Sequence, residues 1–94
     1  MENLDEGQAV RWEDAVQQKF DQMIEKIPVF LRGIAREKVS QRAEKIARAD
    51  NRFVVGEKDM VDAFFAETPF GFHGPMKMDM TDLGIAYTKY GHPL

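Results

Sequence analysis

Two arginines one helical turn apart are the first residues whose type and spacing suit binding chemistry. Arg32 and Arg36 lie at the edge of the apolar stripe of a stretch with helical periodicity, rather than on its solvated face. A pair of half-buried guanidinium groups can bind a carboxylate or a phosphate. The commoner alternative is an internal salt bridge, for which Asp59 and Glu13 are candidate partners. The spacing alone leaves both interpretations open.

A histidine followed by three alternating methionines forms a second candidate site. His73, Met76, Met78 and Met80 give the pattern H-x-x-M-x-M-x-M, and an imidazole with thioethers is a suitable ligand set for Cu(I). Flexible methionines more often fill gaps beneath a loop. We therefore predict no metal and no cofactor.

The other residues give no catalytic site. Trp12 is of a type that can stack on a planar ligand, but at the start of an amphipathic helix it is more often a core anchor, and His92 has no identifiable partner. The chain contains no cysteine, which excludes disulfides, thiol nucleophiles and cysteine-ligated zinc or iron–sulfur clusters. No nucleophile–base pair or phosphate-binding glycine pattern is present. The sequence predicts a protein that works by binding, without turnover of its own.

Composition favours one small soluble domain. The 94 residues are 44% apolar and 31% charged, which suits a single folded core. The net charge of -3 argues against general affinity for nucleic acid or an anionic membrane. No signal peptide or run of about 18 apolar residues is visible. We expect a cytoplasmic protein with no membrane association.

The step from Ile27 to Pro28 divides two helical patterns. Proline disfavours a helical residue before it and fits the first turn of a following helix. Apolar residues recur at helical spacing from 12 to 27 and again from about 28 to 50, and Gly56 can N-cap a third helix. The sequence predicts an all-α fold of short, long and short helices. We divide it into a mobile N-terminus (1–10), a three-helix domain (11–67) and an irregular, apolar C-terminal extension (68–94).

The core and the docking surface follow from this division. Eight large apolar residues on the inward faces of the helices should form the core: Trp12, Phe20, Ile24, Phe30, Leu31, Val39, Ile46 and Phe64. The extension begins with a loop over 68–75, and a fourth short helix from about Thr81 to Lys89 is one option, although Gly84 weakens it by about 1 kcal/mol. Aromatic, methionine and arginine side chains are enriched at interfaces. We therefore predict a protein-binding surface formed by Arg32, Arg36, Phe70, Phe72, Met76, Tyr87 and Tyr90, with completion of the domain's own core as the alternative role for the extension.

One family resemblance covers about residues 12–65. It is carried by a set of short motifs: Trp12, the hexapeptide Ile27 to Arg32, Arg36, the pairs Ala43–Glu44 and Ala47–Arg48, and the stretch from Val55 to Ala63 with Asp59. Together they resemble the helical domain at the C-terminus of the B subunit of light-independent protochlorophyllide reductase. The resemblance implies an accessory module that docks on a nitrogenase-like redox enzyme or covers its substrate, with a protein partner such as a reductase subunit. A tetrapyrrole contact is implied only within that complex.

Catalysis does not carry over from this family, because the chain lacks the large α/β part of the B subunit and any cysteine for a cluster. A second resemblance offers a different class of function. The order of helices, with Phe53-Val54-Val55 before Glu57-Lys58-Asp59, also resembles the histone fold. That alternative implies a dimeric DNA-binding protein, which the acidic balance and the Ile-Pro turn fit less well.

Overall fold

The computed structural model describes residues 9–94. Its helices are α1 (Asp14–Glu25), α2 (Val29–Ala49), α3 (Glu57–Glu67) and α4 (His73–Asp82), with 3-10 turns at Phe70–Phe72 and Tyr87–Tyr90. Two strands, β1 (Arg11–Trp12) and β2 (Val54–Val55), pair in parallel. The predicted all-α class is confirmed, and the short, long, short order of the first three helices is also correct. None of the helices in this part of the chain has the length and apolar character needed to cross a membrane.

The start of the first helix differs from the prediction. Trp12 was expected to open it, but Trp12 lies in β1 and α1 begins at Asp14. The extended backbone suits an aromatic residue, and the Glu13 N–H donates to the Val55 carbonyl at 3.2 Å. The Trp12 indole N–H donates to Glu44 at 2.9 Å. Trp12 therefore ties β1 to the central helix, and Val54–Val55 supplies the partner strand of β1.

The joint at Ile27–Pro28 forms as predicted. Helix α1 ends at Glu25, and Pro28 is the N-cap of α2. With 21 residues, α2 is about 30 Å long at 1.5 Å per residue. Ala43 and Ala47 are completely buried on its inner face, which lets α3 approach closely.

The C-terminal extension corrects the sequence prediction in two ways. The fourth helix occupies His73–Asp82 instead of Thr81 to Lys89, and Pro75 is only its third residue, where the missing N–H has no intrahelical acceptor. Gly84, with φ of +73°, ends this helix. The Gly84 N–H donates to the Thr81 carbonyl and the Ile85 N–H to the Met80 carbonyl. These two bonds form a Schellman motif, which requires a left-handed residue and explains the glycine.

A single core joins the three-helix part to the extension. Its buried apolar side chains are Val16, Phe20, Met23, Ile24, Val39, Ala43, Ala47, Val55, Met60, Val61, Ala63, Phe64, Met76, Met80, Ile85 and Tyr87. Four of the eight predicted core residues are therefore buried, and Trp12 and Ile46 pack partly buried against them. Phe30 and Leu31 were wrongly assigned to the core, because 84% and 42% of their surfaces are exposed.

Candidate functional site

Arg32 binds the end of the preceding helix. Its Nε donates to the Ile27 carbonyl at 2.8 Å and its Nη2 to the Glu25 carbonyl at 2.7 Å. The last carbonyls of α1 have no partner within their own helix, so this guanidinium group supplies the missing donors. Arg32 thus fixes the angle at which α2 leaves α1, and the predicted partners Asp59 and Glu13 are not used.

Arg36 secures the same joint one turn later. Its Nη1 lies 2.9 Å from the Asp21 carboxylate, and its guanidinium carbon lies 5.4 Å from the centre of the Phe20 ring. The internal ion pair considered from the sequence is therefore present, with Asp21 as the partner. Because 48% of the Arg36 side chain is exposed, it remains accessible to another molecule.

Asp59 is buried and charged, and its partner was missed by the sequence analysis. Arg52 donates to both carboxylate oxygens at 2.8 Å, and the Gly56 N–H donates to one of them at 3.0 Å. Burial alone would raise the pKa of Asp59, but the hydrogen bonds from Arg52 and Gly56 and the Arg52 charge outweigh it and lower that pKa. The sequence did contain a signal for the Gly56 contact, because an acidic residue three positions after an N-cap residue can accept a hydrogen bond from the N-cap backbone. This cluster holds the turn between β2 and α3.

The four side chains of the candidate copper site do not share one face of α4. His73 Nε2 lies 2.8 Å from the Thr68 carbonyl. Met76 and Met80 are buried in the core, whereas Met78 is exposed on the other side of α4. Within residues 9–94, no group of three or more His, Cys, Asp or Glu side chains is placed to hold a metal ion. The geometry supports the gap-filling role of the buried methionines.

A large apolar surface is the main feature that no internal contact explains. It consists of exposed side chains from the first turns of α2 and from the 3-10 turn before α4: Val29, Phe30, Leu31, Ile34, Phe70 and Phe72. The exposed fraction is 84% for Phe30, 87% for Phe70 and 65% for Phe72. We call these six residues the apolar surface. Single exposed apolar residues are normal, but Leu31, Ile34 and Phe72 of this set line one groove, and contiguous apolar surface marks a site of interaction.

A groove of about 520 Å³ runs into this surface. The groove is lined by Met23 and Ile27 at the end of α1, by Leu31 and Ile34 of α2, and by Thr68, Pro69, Phe72, Pro75 and Met76. The groove exists because α3 has 11 residues against 21 in α2, so that the first turns of α2 extend beyond their main neighbour. Four charged side chains also line the groove: Lys26, Lys38, Glu67 and Asp79.

The structure divides the predicted binding residues into three groups. Phe70 and Phe72 belong to the apolar surface, and Arg32 and Arg36 lie in the α1–α2 joint beside it. Met76 lines the groove but is only 6% exposed, and Tyr87 is buried in the core. These two side chains complete the domain, which was the alternative role considered for the extension.

Tyr90, the remaining predicted binding residue, is half-buried and does not line the groove. Its hydroxyl donates to Glu57 at 2.8 Å. Burial and this hydrogen bond raise the pKa of Tyr90 to about 12. Phe30 and Leu31 were missed as surface residues because their hydrophobicity was interpreted as core, and Val29 and Ile34 were assigned no role. An apolar run on several sides of one helix turn, rather than in one stripe, was the signal against that assignment.

The fold and this surface define a small all-α domain with a large exposed apolar face. The chain belongs to the DUF2621 family, described as proteins of unknown function, and the family match spans residues 3–94. No curated protein and no solved structure matches the chain. The resemblance to the protochlorophyllide reductase domain therefore stays a prediction.

Proposed function

We propose that this protein is a non-catalytic binding module that docks a protein partner through the apolar surface and its groove. The supporting observation is the area that the six side chains leave uncovered. The three phenylalanines expose about 450 Å² if a fully accessible side chain is taken as ~200 Å². With the aliphatic members, the summed exposed area of the six residues is roughly 700 Å², and exposed apolar area beside a groove is typical of an interaction site.

The chemistry of the groove suits a protein better than a small ligand. Small-molecule sites place a few convergent polar groups among apolar walls. Among residues 9–94, no buried side-chain nitrogen or oxygen lacks a hydrogen-bond partner. The charged groups that line the groove are two lysines and two acidic residues, so neither an anionic lipid surface nor nucleic acid finds an excess of positive charge there. An amphipathic helix with an apolar stripe and charges of both signs beside it fits this lining.

The partner class that the family resemblance implies is a subunit of a redox enzyme. In this proposal the module docks on a nitrogenase-like reductase in the cytoplasm, or covers its substrate, and touches a tetrapyrrole only within that complex. The Ile27 to Arg32 hexapeptide supports the proposal, since three of its residues form part of the apolar surface. The histone-like alternative gains no support from this surface, because the exposed turns of α2 are apolar where DNA would require cations.

Site-specific photo-crosslinking in the native host tests the docking surface. A photoreactive phenylalanine analogue replaces Phe30 or Phe72, whose exposed rings tolerate it, and replaces Gln18 on the exposed side of α1 as the matched control. We expect adducts with a larger protein from positions 30 and 72 and none from position 18. Phe30→Asp should abolish the adduct formed at position 72. Equal adduct yields at all three positions, or none at 30 and 72, would refute the proposal.

The absence of turnover is tested separately. The purified chain, supplied with reduced ferredoxin, ATP and a tetrapyrrole, should leave the tetrapyrrole unreduced. Any reduction above a protein-free control would contradict a non-catalytic role.

A further inference from the structure

We propose that, when its partner is absent, the chain covers the apolar surface with a second copy of itself and forms a two-fold dimer across α2. The inference rests on the proposed function in one respect, since it uses the same surface. The docked partner would then have to displace the second copy.

The surface is complementary to itself. Phe30, with 84% of its surface exposed, lies one helical turn before Ile34, and Leu31 and Ile34 line the 520 Å³ groove, so its ring stands at the edge of that groove. In a two-fold interface both copies use the same patch. A projecting side chain of each copy can therefore fill the groove of the other. Phe30 of each copy would enter the groove of the other.

Gly33 provides a second, independent observation. It lies within the exposed turns of α2, and a Cβ added there meets no atom within 4 Å. A glycine inside a helix costs about 0.5–1 kcal/mol relative to alanine, and no contact with the described residues 9–94 explains Gly33. The bare backbone between Phe30 and Glu37 lets a second helix approach closely.

The charges that line the groove fit the same arrangement. Lys26 and Lys38 come from the end of α1 and from α2, whereas Glu67 and Asp79 come from the end of α3 and from α4. Placing Phe30 of one copy in the groove of the other brings the α2 side of each copy against the α3–α4 side of its neighbour. Glu67 already pairs with Arg42 and Lys26 with Asp82, so the complementary contact across the interface is that of Lys38 in one copy with Asp79 in the other.

The area fits a weak dimer that a partner can displace. Phe30, Leu31, Ile34 and Phe72, which lie in or beside the groove, together expose roughly 450 Å², so two copies would bury about 900 Å² of apolar surface, the size of a weak and reversible interface. A monomeric chain would leave this area in contact with water.

Sedimentation equilibrium of the purified full chain, from about 1 µM to about 500 µM, tests the dimer. We expect the mass to rise from 10.8 kDa towards twice that value. Gly33→Gln places a long side chain where the free chain has open space, and should weaken dimerisation at least tenfold without lowering the melting temperature of the monomer. Phe30→Ser should do the same. Ala15→Gln, an equivalent change at an exposed position near the start of α1, should dimerise like the wild type.

The outcomes separate this inference from the proposed function. A chain that stays monomeric at every concentration, or a Gly33→Gln variant that dimerises as tightly as Ala15→Gln, overturns the dimer and leaves the crosslinking result for a larger partner intact. A concentration-dependent dimer whose crosslinked adducts in the host all have twice the chain mass supports the dimer and refutes a different docked protein.

Discussion

Replacing Asp59 by asparagine should expose how much of the fold depends on one buried carboxylate. The substitution keeps the shape of the side chain and an oxygen for the Gly56 N–H, while it removes the charge that faces Arg52. Asp59 is 2% exposed, so water cannot replace the lost interaction on that side. The hydrogen bond that caps α3 is kept. The expected loss of stability therefore comes mainly from the two hydrogen bonds that Arg52 donates to Asp59.

The magnitude follows from the burial of each partner. Hydrogen bonds to charged groups contribute about 1.5–3 kcal/mol each, but 42% of the Arg52 side chain is exposed and recovers part of its hydration. We expect Asp59→Asn to lower the free energy of unfolding by about 2 kcal/mol, and Asp59→Ala by about 3 kcal/mol because it also removes the cap. Asp82→Asn, at a 66% exposed carboxylate that lies 3.8 Å from Lys26, is the control and should cost under about 1 kcal/mol.

The pH dependence gives a sharper criterion. The pKa of Asp59 is lowered in the folded state from its ordinary 3.8, so its contribution is fully present above about pH 5 and is lost as the pH falls through the folded pKa. Urea unfolding followed by circular dichroism gives the free energy of unfolding of wild type and Asp59→Asn. The difference between the two should be constant from about pH 5 to pH 8 and should become smaller below about pH 4. A difference in unfolding free energy that stays unchanged in acid, or an equal loss in Asp82→Asn, would refute the reasoning.

Three further changes test other parts of the structure. Phe20→Ala should lower the free energy of unfolding by about 3–5 kcal/mol because its ring is buried, whereas Phe30→Ala should change it by under about 0.5 kcal/mol; similar values in urea unfolding would contradict the assigned core. Arg32→Ala should cost about 1–2 kcal/mol by removing two donors from the end of α1, and a wild-type melting curve would show that the joint does not need it. Ultraviolet titration should place the ionisation of Tyr90 near pH 12, and Glu57→Gln should lower that midpoint; no shift would contradict the hydrogen bond to Glu57.

The sequence was most informative where local chemistry decides the structure. Pro28 and Gly56 set the beginnings of α2 and α3 at the predicted residues. The effects of a proline without a backbone N–H and of an N-cap residue are local, so a few residues of sequence are enough to recognise them. The strand at Trp12 could not be predicted in this way. Its partner is Val55, and a pairing over 40 residues leaves no local signal in either segment.

The errors in the extension have a similar origin. Pro75 and Gly74 were interpreted as loop residues, yet both fit the first turn of α4, where a missing N–H leaves no bond unmade. Gly84 was counted as a weakness inside a helix, although its positive φ ends one. Composition alone does not distinguish a glycine inside a helix from one that follows its last turn.

The joint between α1 and α2 explains why apolar residues assigned to the core lie on the surface. Periodicity indicates that residues 29–34 are apolar, but the side on which they lie depends on the angle between the two helices. Arg32 fixes that angle through the Ile27 and Glu25 carbonyls, and Arg36 holds it through Asp21. The groove is therefore formed before any partner arrives, and docking on a preformed surface avoids the cost of ordering it. A weaker joint should consequently reduce binding as well as stability, so Arg32→Ala should lower the crosslinking yield from position 72 although Arg32 itself does not line the groove.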